Sequence, residues 1–401
     1  MVVDMSLQCK EKLNTSIELF SGAGGLALAT QKAGYHHLGL YEWNEDACRT
    51  LIANSEKLAV KGVDSWAQIV NAGDVCGRDF SGFTNIDLVA GGPPCQPFSL
   101  GGKHKGMEDK RDMIPQFIRA VREATPKAFL MENVRGLARK SFATYLSYSI
   151  LQLSYPEISR KKNQDWEDHL RTLEKHHTSK KKNSGLRYNV LYRVLNAADY
   201  GIPQTRERLF VVGIRNDISA TWCFPKPSHS YERLVYEQIM TDEYWKRTGR
   251  KKSSDYLKKV PKYEDKKTSE FENLLPWKTL YEAISDLPPP FIDFDSTDKV
   301  FNHRFQPGAR PYAGHTGSIL DMPSKTLKAG AHGVPGGENM IDYQNGKYRY
   351  LTIRESARIQ TFPDTWQFEG AWGEAMRQIG NAVPVDLAYI VANSLKDILK
   401  G

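Results

Sequence analysis

The first half of the chain alternates short apolar runs with segments whose apolar residues recur at helical spacing. The runs predict strands, and the spaced segments predict helices. The predicted strands cover residues 16–20, 38–41, 86–90, 128–131 and 209–214, and the predicted helices cover residues 26–32, 44–53 and 114–124. Strands that alternate with helices are typical of βαβ units. We therefore predict an α/β fold with a doubly wound, mostly parallel sheet.

Two segments interrupt this alternation. Residues 157–187 are polar and carry runs of lysine, which predicts a surface insertion. The segment from about 220 to 347 is rich in Pro, Gly, Tyr and charge, without a βαβ pattern, and helical spacing returns at 352–360 and 385–399. We therefore predict a catalytic and cofactor domain over 1–219, a smaller irregular domain over 220–349, and a helical return to the first domain over 350–401.

Composition narrows the class of protein. No apolar run approaches the ~20 residues that a membrane helix needs. The five cysteines are an odd number without a Cys-x-x-Cys pair, which argues for a reducing compartment and against disulfides or a zinc site. A net charge of +8 suits a polyanionic partner, although a solvated basic surface explains it equally well. Residues 246–267 hold ten Lys or Arg against three acids, and aromatic residues are interleaved at 244, 245, 256 and 263. Such a mixture can neutralise phosphates, although a run of like charges is also common in disordered loops.

A glycine-rich turn follows the first predicted strand and opens the first helix. Gly22 and Gly24 fit the dinucleotide fingerprint, but Ala27 stands where its third glycine belongs, so the motif alone is weak. Glu42 ends the second strand at the spacing expected of an acid that holds ribose hydroxyls, and Trp43 follows it. Asp74 ends a third strand. Capping of a helix N-terminus or exposure to solvent would explain Glu42 and Asp74 equally well. Three such loops at one sheet edge favour a nucleoside cofactor.

A second group of residues suggests covalent chemistry at the same edge. Cys95 lies between prolines in a stiff loop after the strand at 86–90, and Glu132 ends the next strand. Arg206 and Arg208 precede the strand at 209–214. A thiol, an acid and two guanidiniums favour nucleophilic catalysis with proton transfer and anion binding. The simpler interpretation is that Glu132 and Arg206 form an ordinary ion pair.

The order of these motifs resembles the DNA cytosine-5 methyltransferase family over residues 17–388. The matching elements are Phe-Ser-Gly-Ala-Gly-Gly (20–25), Pro-Cys-Gln (94–96), Glu-Asn-Val (132–134), Gln-x-Arg-x-Arg (204–208), Arg-x-x-x-Arg-x-Gln-x-Phe-Pro (354–363) and Gly-Asn-Ala-Val (380–383). The resemblance implies a Rossmann-like S-adenosylmethionine methyltransferase fold with a smaller target-recognition domain. It also implies methyl transfer to carbon 5 of a flipped-out cytosine.

The resemblance assigns roles to individual positions. Cys95 would add to carbon 6 of cytosine, Glu132 would contact nitrogen 3 and the amino group, Arg208 would hold the base oxygen, and Arg206 would act near the nucleophile and its phosphate. The implied cofactor-lining residues are Phe20, Gly22, Gly24, Glu42, Trp43, Asp74, Pro94 and Asn381, and the implied DNA contacts are Gln96, Ser99 and Thr326. The cofactor would be S-adenosylmethionine, giving S-adenosylhomocysteine, with no metal.

Further expectations concern partners and loops. The family implies a monomer that acts on double-stranded DNA in the cytoplasm, on the nucleoid if bacterial, with a cognate restriction endonuclease as a possible partner. The loop at 99–112 carries several basic residues and would close on the flipped nucleotide. Arg310 and His332 suit base contacts or structural hydrogen bonds equally. The insertion at 157–187 either extends the DNA contact or is disordered.

Three other functions compete with this interpretation. A tRNA cytosine-5 methyltransferase shares the fold, but the large basic recognition region and the plain Pro-Cys-Gln-Pro sequence at 94–97 favour DNA. A catalytically dead nucleic-acid binder would not need to retain Cys95, Glu132, Arg206 and Arg208 together. A cysteine hydrolase leaves the cofactor motifs unexplained.

Overall fold

A seven-stranded sheet forms the centre of the described part of the protein. The computed structural model describes residues 13–58, 65–94, 111–179, 185–252, 256, 271–292, 300–312, 315–330 and 339–399. The strands of the sheet are β1 (Asn14–Leu19), β2 (Tyr35–Glu42), β3 (Val70–Ala72), β4 (Leu88–Gly91), β5 (Ala128–Val134), β6 (Tyr188–Asn196) and β7 (Glu207–Arg215). Their order is β3-β2-β1-β4-β5-β7-β6. The first five are parallel, and β7 is antiparallel to both β5 and β6. The predicted mostly parallel α/β sheet is confirmed.

Helices cover both faces of this sheet. In the first half they are α1 (Gly25–Lys32), α2 (Glu45–Ala53), α3 (Trp66–Ile69), α4 (Ile114–Ala124), α5 (Ala143–Ser154) and α6 (Trp166–Thr178). In the second half they are α7 (Tyr231–Ile239), α8 (Glu243–Thr248), α9 (Leu280–Ile284), α10 (Ile353–Ile359), α11 (Trp372–Asn381) and α12 (Val385–Leu399). One core packs α1 and α10–α12 against the sheet, and a second core packs α4 and α5 against the other face. Apolar burial on both faces explains why the central strands read as continuous apolar runs.

The last helix packs against the first. Lys32 of α1 forms an ion pair with Asp386 of α12 at 2.8 Å. The segment before α12 approaches the start of α1 so closely that a side chain at Gly25 would lie 2.7 Å from the carbonyl of Val383. The end of the chain therefore contributes to the same sheet edge as the glycine turn.

The polar insertion contains a helix that the pattern did not predict. In α6, Leu173 and His169 are buried, and His169 Nδ1 lies 2.7 Å from the hydroxyl of Tyr148 in α5. Of the two alternatives for 157–187, disorder is therefore wrong for the described residues, and DNA contact stays a prediction. Strand β6 follows at once and was also missed, because its exposed residues interrupt the apolar alternation.

The irregular middle of the chain has a small core of its own. Its described strands are β8 (His229–Ser230), β9 (Leu275–Pro276), β10 (Ser318–Ile319), β11 (Met340–Asp342) and β12 (Tyr348–Tyr350). Tyr244, Trp245 and Tyr256 are buried in this core beside α7. Two nearby arginines pair with acids, Arg247 with Glu237 and Glu282, and Arg250 with Asp321. For these three aromatics and two arginines the expectation that they face phosphates is corrected, because their side chains stabilise the middle segment internally, whereas Tyr263 and the basic residues of 257–267 lie outside the described residues.

Candidate active site

The glycine turn between β1 and α1 combines an open side with a closed one. Gly22 and Gly24 have φ values of 52° and 89°, a region that favours glycine. A β-carbon at Gly24 would lie 2.9 Å from Leu51 and 3.0 Å from Trp366, whereas one at Gly22 would meet nothing within 4 Å. Gly24 is therefore required for packing, and Gly22 leaves room for a ligand. Phe20, with φ of 59°, is half-buried at the start of the turn.

Glu42 ties the end of β2 to this turn. Its Oε2 accepts a hydrogen bond from the Gly22 amide at 2.7 Å, and its Oε1 accepts from the amides of Trp43 (3.0 Å) and Asn44 (2.8 Å). A carboxylate has about four acceptor sites, so Oε2 retains one for a ligand hydroxyl. The Trp43 side chain is 78% exposed beside it. Glu42 therefore shapes the turn and keeps capacity for a ligand.

Asp74 begins the loop after β3, next to Glu42 along the edge. Its Oδ1 accepts a hydrogen bond from the Cys76 amide at 2.9 Å, and this bond lowers the pKa of the Asp74 carboxyl. Arg119 of α4 holds the loop by donating to the carbonyls of Val75 (2.7 Å) and Arg78 (2.6 Å). Nothing in the sequence marked Arg119 for this role, because it reads as an ordinary i,i+4 partner of Glu123 and its contacts with the loop are to backbone atoms of a distant segment.

The loop that leads to Cys95 leaves β4 beside Glu132. A β-carbon at Gly92 would lie 3.2 Å from Glu132 Oε2. Asn133 is buried and donates from Nδ2 to the Pro93 carbonyl at 3.0 Å, and the Met113 amide donates to the Pro94 carbonyl at 3.2 Å. Pro94 itself is exposed. Cys95, Gln96 and Ser99 lie outside the described residues, as do residues 100–110 of the predicted closing loop.

Glu132 and Arg208 form the ion pair of this edge. Arg208 Nε lies 3.0 Å from Glu132 Oε1, and both side chains are only about one-tenth exposed. Burial raises the pKa of the Glu132 carboxyl, against the opposing charges of Arg208 and Arg206. Burial also lowers the pKa of the Arg208 guanidinium, against the opposing charge of Glu132. The pair therefore places a carboxyl whose pKa is raised by burial next to a forked cationic donor.

Arg206 adjoins this pair, but backbone carbonyls hold its side chain instead of Glu132. Its side chain is fully buried and donates to the carbonyls of Leu327 (2.9 Å), Gly380 (2.7 Å) and Ala382 (2.8 Å). Burial, together with the like charge of Arg208, lowers the pKa of the Arg206 guanidinium. A side chain enclosed in this way does not reach a phosphate, and the considered Glu132–Arg206 ion pair is replaced by Glu132–Arg208.

The remaining described positions of the prediction differ in exposure. Asn381 is exposed at the end of α11. Thr326 is partly buried, and its hydroxyl donates to the Thr205 carbonyl at 2.6 Å, so only its acceptor sites are open to DNA. Arg310 is exposed, whereas His332 lies outside the described residues.

The sheet edge thus combines a glycine turn with two acids and a buried acid–arginine pair, as expected of an α/β transferase for a nucleoside cofactor. Comparison with known proteins defines the class further. The model for the C-5 cytosine-specific DNA methylase family matches residues 14–154 and 166–397. The chain belongs to this family and is a DNA cytosine-5 methyltransferase.

Relatives of similar length support the assignment. The chain is 34% identical to the type II methyltransferase M.Eco47II of Escherichia coli, over 96% of this chain and 79% of the relative. It is 30% identical to the type II methyltransferase M.NgoMIV of Neisseria gonorrhoeae, over 96% and 98%.

Solved structures share the fold. The S. pombe Dnmt2 methyltransferase superposes with a TM-score of 0.51 at 17% identity, over 96% of this chain and 99% of that one. The Entamoeba histolytica methyltransferase EhMeth superposes with a TM-score of 0.52 at 15% identity, over 97% and 98%. At such identities the likeness concerns the fold alone.

Two further findings concern the described residues only. Within them, no helix is long and apolar enough to cross a membrane. The same residues contain no group of three or more His, Cys, Asp or Glu side chains placed to hold a metal ion.

Proposed function

We propose that the protein methylates carbon 5 of a cytosine in double-stranded DNA, using S-adenosylmethionine, a flipped-out base and a covalent adduct through Cys95. The observation that carries this proposal is the Glu132–Arg208 pair. It is buried, it contains a carboxyl with a raised pKa, and it adjoins Gly92, three residues before Cys95. In its protonated form this carboxyl, beside a cationic donor, would match the acceptor atoms of a cytosine ring.

The glycine-turn end fits the proposed cofactor. Gly22 leaves space for a ligand, Glu42 retains an acceptor for a ribose hydroxyl, and Trp43 offers an exposed ring to a base. The proposed cofactor-lining residues are Phe20, Gly22, Gly24, Glu42, Trp43, Asp74, Pro94 and Asn381. When bound, S-adenosylmethionine supplies an electrophilic methyl group and yields S-adenosylhomocysteine.

Cys95 supplies the activation that carbon 5 lacks. Its thiolate adds to carbon 6, and the electron pair of the 5,6 double bond makes carbon 5 nucleophilic. After the methyl group bonds to carbon 5, loss of the carbon 5 proton to a base expels the thiolate and restores the double bond. The base must leave the helical stack first, because stacking covers carbon 6 in a duplex.

Glu132 and Arg208 would stabilise the adduct. A protonated Glu132 donates a hydrogen bond to nitrogen 3 of the ring and accepts one from the amino group, which draws electron density from carbon 6 during attack. Arg208 donates to the ring oxygen while it remains paired with Glu132. Arg206 is assigned no contact with the base.

The proposal extends to DNA recognition and partners. Gln96, Ser99 and Thr326 contact DNA near the target, and residues 220–349 form the domain that reads the sequence. Because the similar relatives are named type II methyltransferases, we propose that the protein serves a restriction–modification system with a cognate endonuclease. We propose that it acts as a monomer, so sedimentation of a tight dimer would contradict this point.

Bisulfite sequencing of unmethylated plasmid DNA tests the reaction. Wild-type protein with S-adenosylmethionine should protect cytosines at one recurring short sequence, and Cys95→Ser should protect none. Cys223→Ser is the matched control, since Cys223 is an exposed free cysteine that is not among the proposed site residues, and it should retain full protection. Absence of protection by folded wild-type protein, with methylation of tRNA instead, would contradict the proposal.

A further inference from the structure

Arg206 connects two segments that are far apart in the chain. Its guanidinium holds the Leu327 carbonyl with one nitrogen and the carbonyls of Gly380 and Ala382 with another. We propose that Arg206 is a positioning residue that fixes the cofactor-side segment 380–382 against the end of the recognition region at 326–328. Cofactor binding and DNA binding then both depend on the three hydrogen bonds of the buried Arg206 side chain, which we call the clamp. This inference rests on the proposed function, because it takes the cofactor and DNA sides from it.

The first side of the clamp adjoins the glycine turn. The two carbonyls that Arg206 holds flank Asn381, whose side chain remains exposed. A β-carbon at Gly25 would lie 3.2 Å from the Ala382 side chain and 2.7 Å from the Val383 carbonyl, so the segment lies directly on the turn. A displacement of the segment would therefore move Asn381 relative to Gly22 and Gly24.

The second side adjoins the recognition region. The amide of Leu327 donates to Gln204 Oε1 at 2.9 Å, and the hydroxyl of the preceding Thr326 donates to the Thr205 carbonyl. The backbone at Lys328 passes so close to Gly380 that a β-carbon there would lie 2.5 Å from the Lys328 carbonyl carbon. The two segments are thus in direct contact at the point where Arg206 holds both.

A buried amide pair extends the clamp. Gln204 Nε2 donates to Gln360 Oε1 at 3.0 Å, and Gln360 Nε2 donates to the carbonyls of Ile379 (2.7 Å) and Ala382 (2.9 Å). Ala382 therefore receives hydrogen bonds from both Arg206 and Gln360. Segment 204–206 reaches the cofactor side and the recognition side through fully buried polar groups, where a hydrogen bond is strong and an unmade one is costly.

The chemistry of the clamp requires arginine. A planar guanidinium can donate to three carbonyls in fixed directions, whereas a lysine ammonium is a compact charge on a flexible stem. Arg206→Lys keeps the charge and loses the fixed geometry. The neighbouring Arg208–Glu132 pair does not involve the atoms of Arg206 that form the clamp.

Arg354→Lys provides the matched control. Arg354 is also fully buried and also donates to three carbonyls, those of Phe301 (3.1 Å), Pro363 (3.0 Å) and Trp366 (2.6 Å), none of which belongs to 326–328 or 380–382. Both variants should lower the unfolding temperature. Only Arg206→Lys should raise the dissociation constant for S-adenosylhomocysteine and the KM for DNA. We expect each constant to rise ~10-fold, because the loss of one charge-assisted hydrogen bond has an effect of this size. Its kcat at saturation should change less than either constant, because Cys95, Glu132 and Arg208 remain.

The results separate the clamp from a general structural role. Unchanged constants in a folded Arg206→Lys, or a change in only one of the two, would overturn the inference. Wild-type protein that neither binds S-adenosylhomocysteine nor methylates DNA would instead refute the proposed function.

Wild-type amide hydrogen exchange provides a measurement that does not depend on a variant folding. S-adenosylhomocysteine should slow exchange in a peptide that covers 326–328 as well as in one that covers 380–382. Protection confined to 380–382 would overturn the inference.

Discussion

Removal of the Asn133 side chain should separate the positioning of the nucleophile from the stability of the fold. Asn133 is 4% exposed, donates from Nδ2 to the Pro93 carbonyl at 3.0 Å, and accepts at Oδ1 from the Val134 amide at 2.8 Å. It therefore holds the backbone two residues before Cys95 against the end of β5. In Asn133→Ala this anchor is lost while the proposed catalytic side chains remain.

The structure sets the size of both effects. The Pro93 carbonyl is left buried without its partner, which costs about 1–3 kcal/mol, and the Val134 bond adds about 1 kcal/mol. We expect the free energy of unfolding to fall by about 2–4 kcal/mol, which a protein of ordinary stability survives. A shift of the Cys95 loop by about 1 Å would reduce kcat by roughly 100-fold. The affinity for S-adenosylhomocysteine should fall far less than kcat, because the glycine turn is anchored separately and Pro94 is the one proposed cofactor-lining residue in the displaced loop.

Asn54→Ala is the matched control for this prediction. Asn54 is also buried, and its side chain joins α2 to a distant segment by donating to the Gln367 carbonyl and accepting from the Gln367 amide. Urea unfolding should show a comparable loss of stability in both variants, and initial rates of methyl transfer at saturating substrates should fall only in Asn133→Ala. Equal loss of kcat in both, or a normal kcat in Asn133→Ala, would refute the positioning argument.

Three further changes test other parts of the site. Trp43→Ala should leave the unfolding temperature unchanged, because the ring is 78% exposed, and should weaken S-adenosylhomocysteine binding ~10-fold in calorimetry, the loss of one aromatic contact. Gly24→Ala should lower the unfolding free energy by about 2 kcal/mol or more, because φ is 89° and Leu51 and Trp366 leave no room; a stable variant in urea titration would contradict this. Burial raises the pKa of the Glu18 carboxyl in the folded protein well above the ordinary value of 4.5. The contribution of Glu18 to stability is therefore complete below pH 4.5 and is lost as the pH rises through the folded-state pKa. Thermal scans should therefore show Glu18→Gln gaining stability relative to wild type as pH rises, and a constant difference across pH would exclude this cause.

The sheet edge was predictable because its information is local. A glycine turn after a strand, an acid at the end of the next strand and a cysteine between prolines are each written in a few neighbouring residues. Parallel strands bring their ends to one edge whatever the rest of the fold does. Glu42 and Asp74 therefore lie at adjacent strand ends, as the order β3-β2-β1 requires.

The role of each arginine was not predictable in the same way. Arg206 and Arg208 are two residues apart and chemically identical, yet Arg208 pairs with Glu132 and Arg206 binds backbone carbonyls. Those carbonyls belong to residues more than 100 positions further along the chain. No side-chain pattern marks a backbone acceptor, so this difference arises only when distant segments pack together.

The aromatic residues of the middle region illustrate the same limit. Interleaved Lys, Arg and aromatics suggested a surface for phosphates, but Tyr244, Trp245 and Tyr256 form a core, and Arg250 is held by Asp321. Composition gives the charge of a segment but does not say which charges pair internally.

The sequence by itself therefore determined the family, the sheet and the residues along its edge, because strand ends and turns are encoded by short-range patterns. Tertiary structure alone decided that Arg206 is a buried clamp, that Asn133 anchors the Cys95 loop and that α6 packs on α5. Each of these depends on hydrogen bonds or apolar burial between segments that meet only after folding.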